Sequence, residues 1–286
     1  MQFGISVPNN QGISSVRGLI DVALDAEQLG YHSVWVSEHL FHASYVAARL
    51  GDRPYHEALV VLTAIATVTE RVRLGTSVLV LPWHHPARLA KQIASLDELS
   101  GGRVVLGIGV AQTEDEFANL GVPYANRGAV TDETIDALRV LWEQDVPAFS
   151  GAHYSFSGLR FAPKPLQSRL PILIGGNSPR ALRRVREKGD GWHAMSLSVN
   201  EVRQRIAGAA GKACSMRLVL EFADTAAARP ITERRTLKGP PAELIEQLRA
   251  YADAGIGEIV VDANSTDLVA TRACYQRFRA EVMSAL

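Results

Sequence analysis

Apolar residues recur along the chain with two alternating periods. Short runs rich in Val, Ile and Leu cover 2–7, 33–37, 72–80, 104–109, 171–175, 191–195, 216–221 and 257–261, and read as strands. Helical stretches follow them, with clear spacing at 16–29, 87–99, 132–142, 179–188, 199–210, 242–254 and 267–283. In the first, Leu19, Ile20, Ala23, Ala26 and Leu29 share one face, and Gly30 can end the helix in a left-handed conformation. Strands that alternate with helices run parallel, because each return must cross over through a helix. Val104-Val105-Leu106-Gly107-Ile108 is apolar almost throughout, as in a strand covered on both faces. Eight such units predict a (β/α)8 TIM barrel, one domain over 1–286 with insertion segments at its C-terminal mouth. An open doubly wound sheet is the alternative, weakened because no G-x-G-x-x-G turn follows the first strand.

Two segments break the rhythm. Residues 147–167 carry Ser150-Gly151, Tyr154, Phe156, Ser157-Gly158 and three prolines, and predict a hairpin-like excursion before the fifth strand. Residues 224–238 form a polar connection with Arg229-Pro230 and Arg234-Arg235. Following the seventh strand, that connection is expected at the mouth, where long loops serve as lids.

Composition narrows the classes. In 286 residues, 30 basic and 30 acidic side chains cancel, so no basic field invites nucleic acid. Hydrophobic residues at 47% suffice for a large core, yet no apolar run nears the ~18 residues of a membrane span. The N-terminus reads as a strand rather than a signal peptide, and a cytoplasmic location is expected. Cys214 and Cys274 are too few and too isolated for a disulfide framework or a zinc site, and are expected as small core residues.

Candidate chemistry belongs at the C-terminal strand ends. The fifth strand ends Ile174-Gly175-Gly176-Asn177-Ser178-Pro179. Two glycines let backbone approach a ligand, Ser178 and Pro179 suit a helix start, and free N–H groups plus the helix dipole would suit one phosphate. An ordinary capped turn is the plainer alternative. At the second strand end, His39 follows Glu38; an imidazole there can act as a base or hydrogen-bond a reduced cofactor ring. Neighbours on a strand face opposite ways, which argues against direct pairing of Glu38 with His39. Trp192 could wall a pocket or pack against the barrel, and His84-His85 before Pro86 reads as a helix entry rather than a metal site.

The chain resembles the luciferase-like monooxygenase family, and within it the branch that uses the deazaflavin coenzyme F420. The motifs are Ala26-Glu27-Gln28-Leu29-Gly30-Tyr31 with Val36-Ser37-Glu38-His39, and Leu74-Gly75-Thr76-Ser77-Val78. They continue through His85-Pro86, Ala90-Lys91-Gln92, Leu96-Asp97, Gly101-Gly102-Arg103 and Leu106-Gly107-Ile108-Gly109-Val110. Glu116-Phe117 with Leu120-Gly121-Val122-Pro123, Ile174–Ser178 and Gly189-Asp190-Gly191-Trp192 complete the set, over residues 1 to about 200. The resemblance implies a barrel with an isoalloxazine-type ring across its mouth, beside His39. Ser77 and Val78 would form the third-strand bulge behind the ring, where relatives often hold a non-proline cis peptide, and Thr76 before them would also bind the cofactor. Gly109, Val110 and Gln112 would lie against the cofactor, and Gly175, Gly176, Asn177 and Ser178 would grip its phosphate. It also implies a homodimer.

One departure bears on the reaction. Gln112 stands where sugar-phosphate dehydrogenases of the deazaflavin branch carry a glutamate acid, and an amide cannot supply that proton. His39 and Gln112 are therefore the expected catalytic pair, His39 with the proton and Gln112 with a hydrogen bond. The expected activity is hydride exchange between F420 and a small organic substrate, with an FMN-dependent monooxygenase as the alternative. A non-redox barrel enzyme would need a metal cluster, carboxylate pair or Schiff-base lysine, and no persuasive set is present. A binding protein without turnover is the remaining class.

Overall fold

The protein is described by a computed structural model that covers residues 1–225 and 236–286. Eight strands form the barrel: β1 (Gln2–Ser6), β2 (Ser33–Val36), β3 (Arg73–Thr76), β4 (Val104–Gly109), β5 (Ile172–Gly175), β6 (Gly191–Met195), β7 (Ala213–Phe222) and β8 (Glu258–Asp262). Each pairs in parallel with the next, as in Ile5↔Val34, Leu106↔Ile172 and Met216↔Ala194. The pairing Phe3↔Ile259 joins β1 to β8 and closes the ring, so the doubly wound alternative falls away.

A main helix follows each strand: α1 (Val16–Gln28), α2 (Ala58–Ala66), α3 (Pro86–Leu99), α4 (Arg127–Glu143), α5 (Pro179–Glu187), α6 (Val199–Arg205), α7 (Pro241–Asp253) and α8 (Leu268–Glu281), with the short helices Ser44–Leu50 and Glu114–Leu120 in the connections after β2 and β4. In α1 the Ser15 hydroxyl caps the helix by accepting the Gly18 N–H at 3.0 Å. Its buried face presents Leu19, Ile20, Val22, Ala23 and Ala26 to the barrel wall. Full burial of a leucine contributes about 1.5–3 kcal/mol, so a charge at Leu19 would strip this helix from the sheet. Periodicity misses α2 because Ala58-Leu59-Val60-Val61-Leu62 is apolar on every side, and Val60 remains 66% exposed.

Several expected bounds shift. The third strand does not run unbroken over 72–80: it stops at Thr76, the Ser77–Val78 peptide is cis, and pairing resumes at Leu79–Val80 against the end of β4. The hairpin within 147–167 forms, Phe149–Ser150 pairing antiparallel with Ser155–Phe156. The expected lid over 224–238 needs correction at its end, where Thr236–Gly239 is a strand parallel to the last residues of β7. The rest of that expectation, 226–235, lies outside the described residues. Cys214 is buried and Cys274 half-buried, both as free thiols; burial pushes them up to about 11 and about 12. No helix among the described residues is long and apolar enough to cross a membrane.

The two faces of the strands differ in chemistry. Outward residues such as Ile5, Val34, Leu74, Leu106, Ile174, Met216 and Ile259 pack under the helices in the main core. Inward ones leave only a small apolar cluster of Trp35, Val105, Leu173 and Val260. Trp35 fills the axis, and a Cβ at Gly75 would sit 2.3 Å from its ring, so that position admits only glycine.

Candidate active site

Above Trp35 the barrel interior turns polar. The His193 ring stacks on Trp35 with centroids 4.8 Å apart and planes 11° from parallel. Its two nitrogens meet the hydroxyls of Ser77 (2.8 Å) and Ser215 (2.7 Å). Burial, with the Arg217 charge nearby, pulls its pKa down to about 3, so the ring is neutral and structural. Arg217, 4% exposed, pairs with Asp262 and donates to the Ser37 hydroxyl (2.6 Å) and the Ser77 carbonyl (3.5 Å). This network fixes the bulge from below.

Thr76 is fully buried, and its hydroxyl donates to the Gly107 carbonyl at 2.7 Å, which commits it to holding β3 against β4. Val78 is half-buried beside Gly109 and Gly175; a Cβ at either glycine would come within 2.8 Å of its methyl groups. Ser77, Val78, Gly109 and Gly175 are therefore gathered at one place on the mouth. Val110 is half-buried, and Gln112 is exposed and uses its backbone carbonyl to accept the Tyr124 hydroxyl (3.3 Å).

His39 stands on the opposite flank of β3, beyond the end of β2. Its Nδ1 lies 2.6 Å from Glu116 Oε2, and its Nε2 lies 2.6 Å from the Tyr45 hydroxyl. Tyr45, Tyr55 and Trp83 surround the ring edge-on at 5.4, 5.6 and 6.1 Å. Glu116 is fully buried. Burial alone would raise its pKa, but the hydrogen bonds from His39, the Thr113 hydroxyl and the Phe41 N–H bring it below the usual carboxylate range. Glu38 faces away, as the strand geometry predicts: it accepts the Val80 N–H (2.7 Å) and meets His84 Nε2 (2.8 Å). His85 caps α3, in keeping with a helix entry.

At the end of β5, Gly176 has φ +106°, a conformation that L side chains rarely adopt. Asn177 spends both ends of its amide on Met195, donating to its carbonyl (2.7 Å) and accepting its N–H (3.2 Å). Trp192 is buried and donates to the Gly176 carbonyl at 2.8 Å, which pins the turn from behind. The Ser178 hydroxyl accepts the Ala181 N–H (3.2 Å) and Pro179 opens α5. The backbone N–H groups of Gly176, Asn177 and Ser178 donate to no acceptor among the described residues.

Tyr45, Tyr55, Trp83 and Glu116 escape sequence reasoning about the site. They sit on three connections, Tyr45 and Tyr55 after β2, Trp83 after β3 and Glu116 after β4, and only the Glu116-Phe117 motif signalled any of them. Two buried polar atoms near the mouth, Asn10 Oδ1 and Trp83 Nε1, have no hydrogen-bond partner among the described residues. Such atoms cost about 1–3 kcal/mol each when left unpaired, so a ligand that supplies partners gains by binding there.

Known proteins resemble this chain in sequence and in fold. The sequence pattern of the family described as luciferase-like monooxygenase matches residues 1–217. The F420-dependent glucose-6-phosphate dehydrogenase of Amycolatopsis mediterranei is 33% identical over 184 residues, 63% of this chain and 54% of that one. The FMNH(2)-dependent dimethylsulfone monooxygenase of Pseudomonas putida is 28% identical over 280 residues, 93% of this chain and 75% of that one. The crystal structure of monooxygenase RslO1 from Streptomyces bottropensis superposes with a TM-score of 0.83 at 22% identity, over 100% of this chain and 99% of that one.

Proposed function

Because the chain belongs to the luciferase-like monooxygenase family, whose members are F420- or FMN-dependent oxidoreductases, we propose that it binds coenzyme F420 and exchanges a hydride with a small organic substrate. The observation that carries this reading is the pairing of His39 with Glu116 at a strand end, on the same mouth as a glycine turn whose N–H groups have no acceptor among the described residues. When bound, the deazaflavin supplies a carbon that takes or gives a hydride and reacts poorly with oxygen.

The chain's own residues divide the remaining work. The N–H groups of Gly176, Asn177 and Ser178, with the N-terminal dipole of α5, suit a phosphate. A side chain at Gly176 would be strained there, which keeps the backbone accessible. Ser77, Val78, Gly109, Val110 and Gly175 offer a close, largely backbone surface for a flat ring. Thr76 supports that surface from within the sheet. His39 holds or moves the proton through Nε2, and Gln112 orients substrate or ring by a hydrogen bond without supplying a proton.

F420 is favoured by the higher identity to the F420-dependent relative, 33% against 28%. FMN is the second reading, favoured by the longer match of the FMNH(2)-dependent relative, which spans 93% of this chain. It would make the protein a monooxygenase. The mass and absorption spectrum of the cofactor retained by protein from an F420-producing host test the proposal. A deazaflavin supports it; FMN retained in its place moves the assignment to the second reading.

A further inference from the structure

The short helix Glu114–Leu120 carries Glu116 into the mouth, where its carboxylate is 0% exposed and has four neighbours. Oε1 accepts the N–H groups of Leu40 (3.0 Å) and Phe41 (3.2 Å). Oε2 accepts the Thr113 hydroxyl (2.8 Å) and lies 2.6 Å from His39 Nδ1. An ionised carboxylate only accepts hydrogen bonds, so the ring proton belongs on Nδ1. In a neutral imidazole that leaves the lone pair on Nε2, where the hydroxyl of the exposed Tyr45 side chain donates at 2.6 Å.

We propose that Glu116 is a positioning residue that locks His39 in the Nδ1–H tautomer and turns the Nε2 lone pair towards the reacting substrate. Which imidazole nitrogen is free is decided by the bond the other one makes. The Tyr45 hydroxyl is a displaceable donor that holds the place on Nε2 until substrate arrives. In the oxidising direction the substrate loses a hydride to the cofactor and a proton to Nε2; the reducing direction returns both. Throughout, the Nδ1 proton stays between His39 and Glu116, and the carboxylate remains ionised. The proposal rests on the oxidoreductase reading only for the consequence of the tautomer, not for the tautomer itself.

A purely structural Glu116 would merely satisfy Leu40 and Phe41, and Glu116→Gln separates the two roles with almost no change of shape. The two backbone N–H donors hold the amide oxygen towards themselves, so the NH2 group must face His39 Nδ1. An amide that donates there forces the ring proton to Nε2.

Nitrogen-15 spectra of the histidine-labelled full chain read the tautomer directly, with the His39 signals assigned by their loss in His39→Ala. The wild-type chain is expected to carry the proton on Nδ1 and Glu116→Gln on Nε2. In the variant the single-turnover hydride rate should fall at least about tenfold, a part of the roughly 10²–10⁴-fold that an acid–base group contributes, while cofactor affinity stays within about threefold. A wild-type proton on Nε2 overturns the proposal, as does a folded variant with an unchanged tautomer, or one that switches tautomer and keeps the full rate. The wild-type spectrum needs neither the variant nor a cofactor, so the tautomer of His39 is decided even if F420 is rejected.

Discussion

The two ends of the barrel bury charge in different ways. At the N-terminal end, Glu27 accepts the N–H groups of Glu70 (3.0 Å), Arg71 (2.6 Å) and Val72 (2.9 Å), and Asp97 accepts those of Val104 (3.3 Å) and Gln167 (3.1 Å). Arg103 donates to the carbonyls of Ala66 (3.2 Å), Thr69 (2.6 Å), Val72 (2.8 Å) and Ser100 (2.7 Å). These charges are spent mainly on backbone and help fix where β3, β4 and β5 begin. Asp190 beside them accepts the Ile172 N–H (2.8 Å) while pairing with Arg139 and Arg169. At the C-terminal mouth, Glu116 faces His39, Glu38 faces His84 and Asp262 faces Arg217. In the two imidazole–carboxylate pairs a proton can be held or moved, whereas Arg217 keeps its proton and holds Asp262 ionised. Family motifs occupy both ends, yet only the mouth can carry chemistry; the other end carries the fold.

Substitutions at the two ends should therefore fail in different ways. The largest effect is expected from His39→Ala, which removes a group worth roughly 10²–10⁴-fold in rate while changing stability and cofactor affinity modestly. Rapid mixing of cofactor-saturated protein measures it, and an unchanged rate would take His39 out of the mechanism. Glu27→Ala is the mirror image. It leaves three N–H groups without their acceptor and should lower unfolding free energy by about 2 kcal/mol or more, with the rate per folded molecule unchanged. Urea denaturation together with the same kinetics checks that pair of outcomes.

Next in size is Gly176→Val, which places a side chain at φ +106° and 3.4 Å from the Ala181 methyl. The affinity for full cofactor should drop by about 1–3 kcal/mol, and that for a fragment lacking the phosphate much less. Equal losses would make the turn a fold element like those at the far end. Gln112→Ala should do least. The side chain is exposed and can only orient its neighbours, so less than about a tenfold fall in rate is expected.

Much of this contrast is legible in the order of residues alone. The outward strand faces are apolar, and their alternation with helices points to the closed parallel barrel. Ser178-Pro179 announces its helix through cap chemistry, and the strand period sets Glu38 and His39 on opposite sides. The inward face is not legible: Ser77, His193, Ser215, Arg217 and Asp262 look like polar interruptions until the barrel closes and makes them one network. The His39 wall is hidden for another reason. Glu116 lies 77 residues away and Tyr45 sits on a seven-residue helix, so no local period links them to the strand end. The helix α2 is hidden by uniform hydrophobicity, because a stretch that is apolar on all sides has no period to detect.

The proposal that the mouth holds a deazaflavin rather than FMN is tested by equilibrium binding. Fluorescence titration of the full chain, freed of any retained cofactor, should show F420 binding more tightly than FMN under identical conditions, with the advantage reduced for an F420 fragment that lacks the phosphate. Tighter binding of FMN would overturn the deazaflavin proposal and assign the His39 wall and the glycine turn to a flavin monooxygenase.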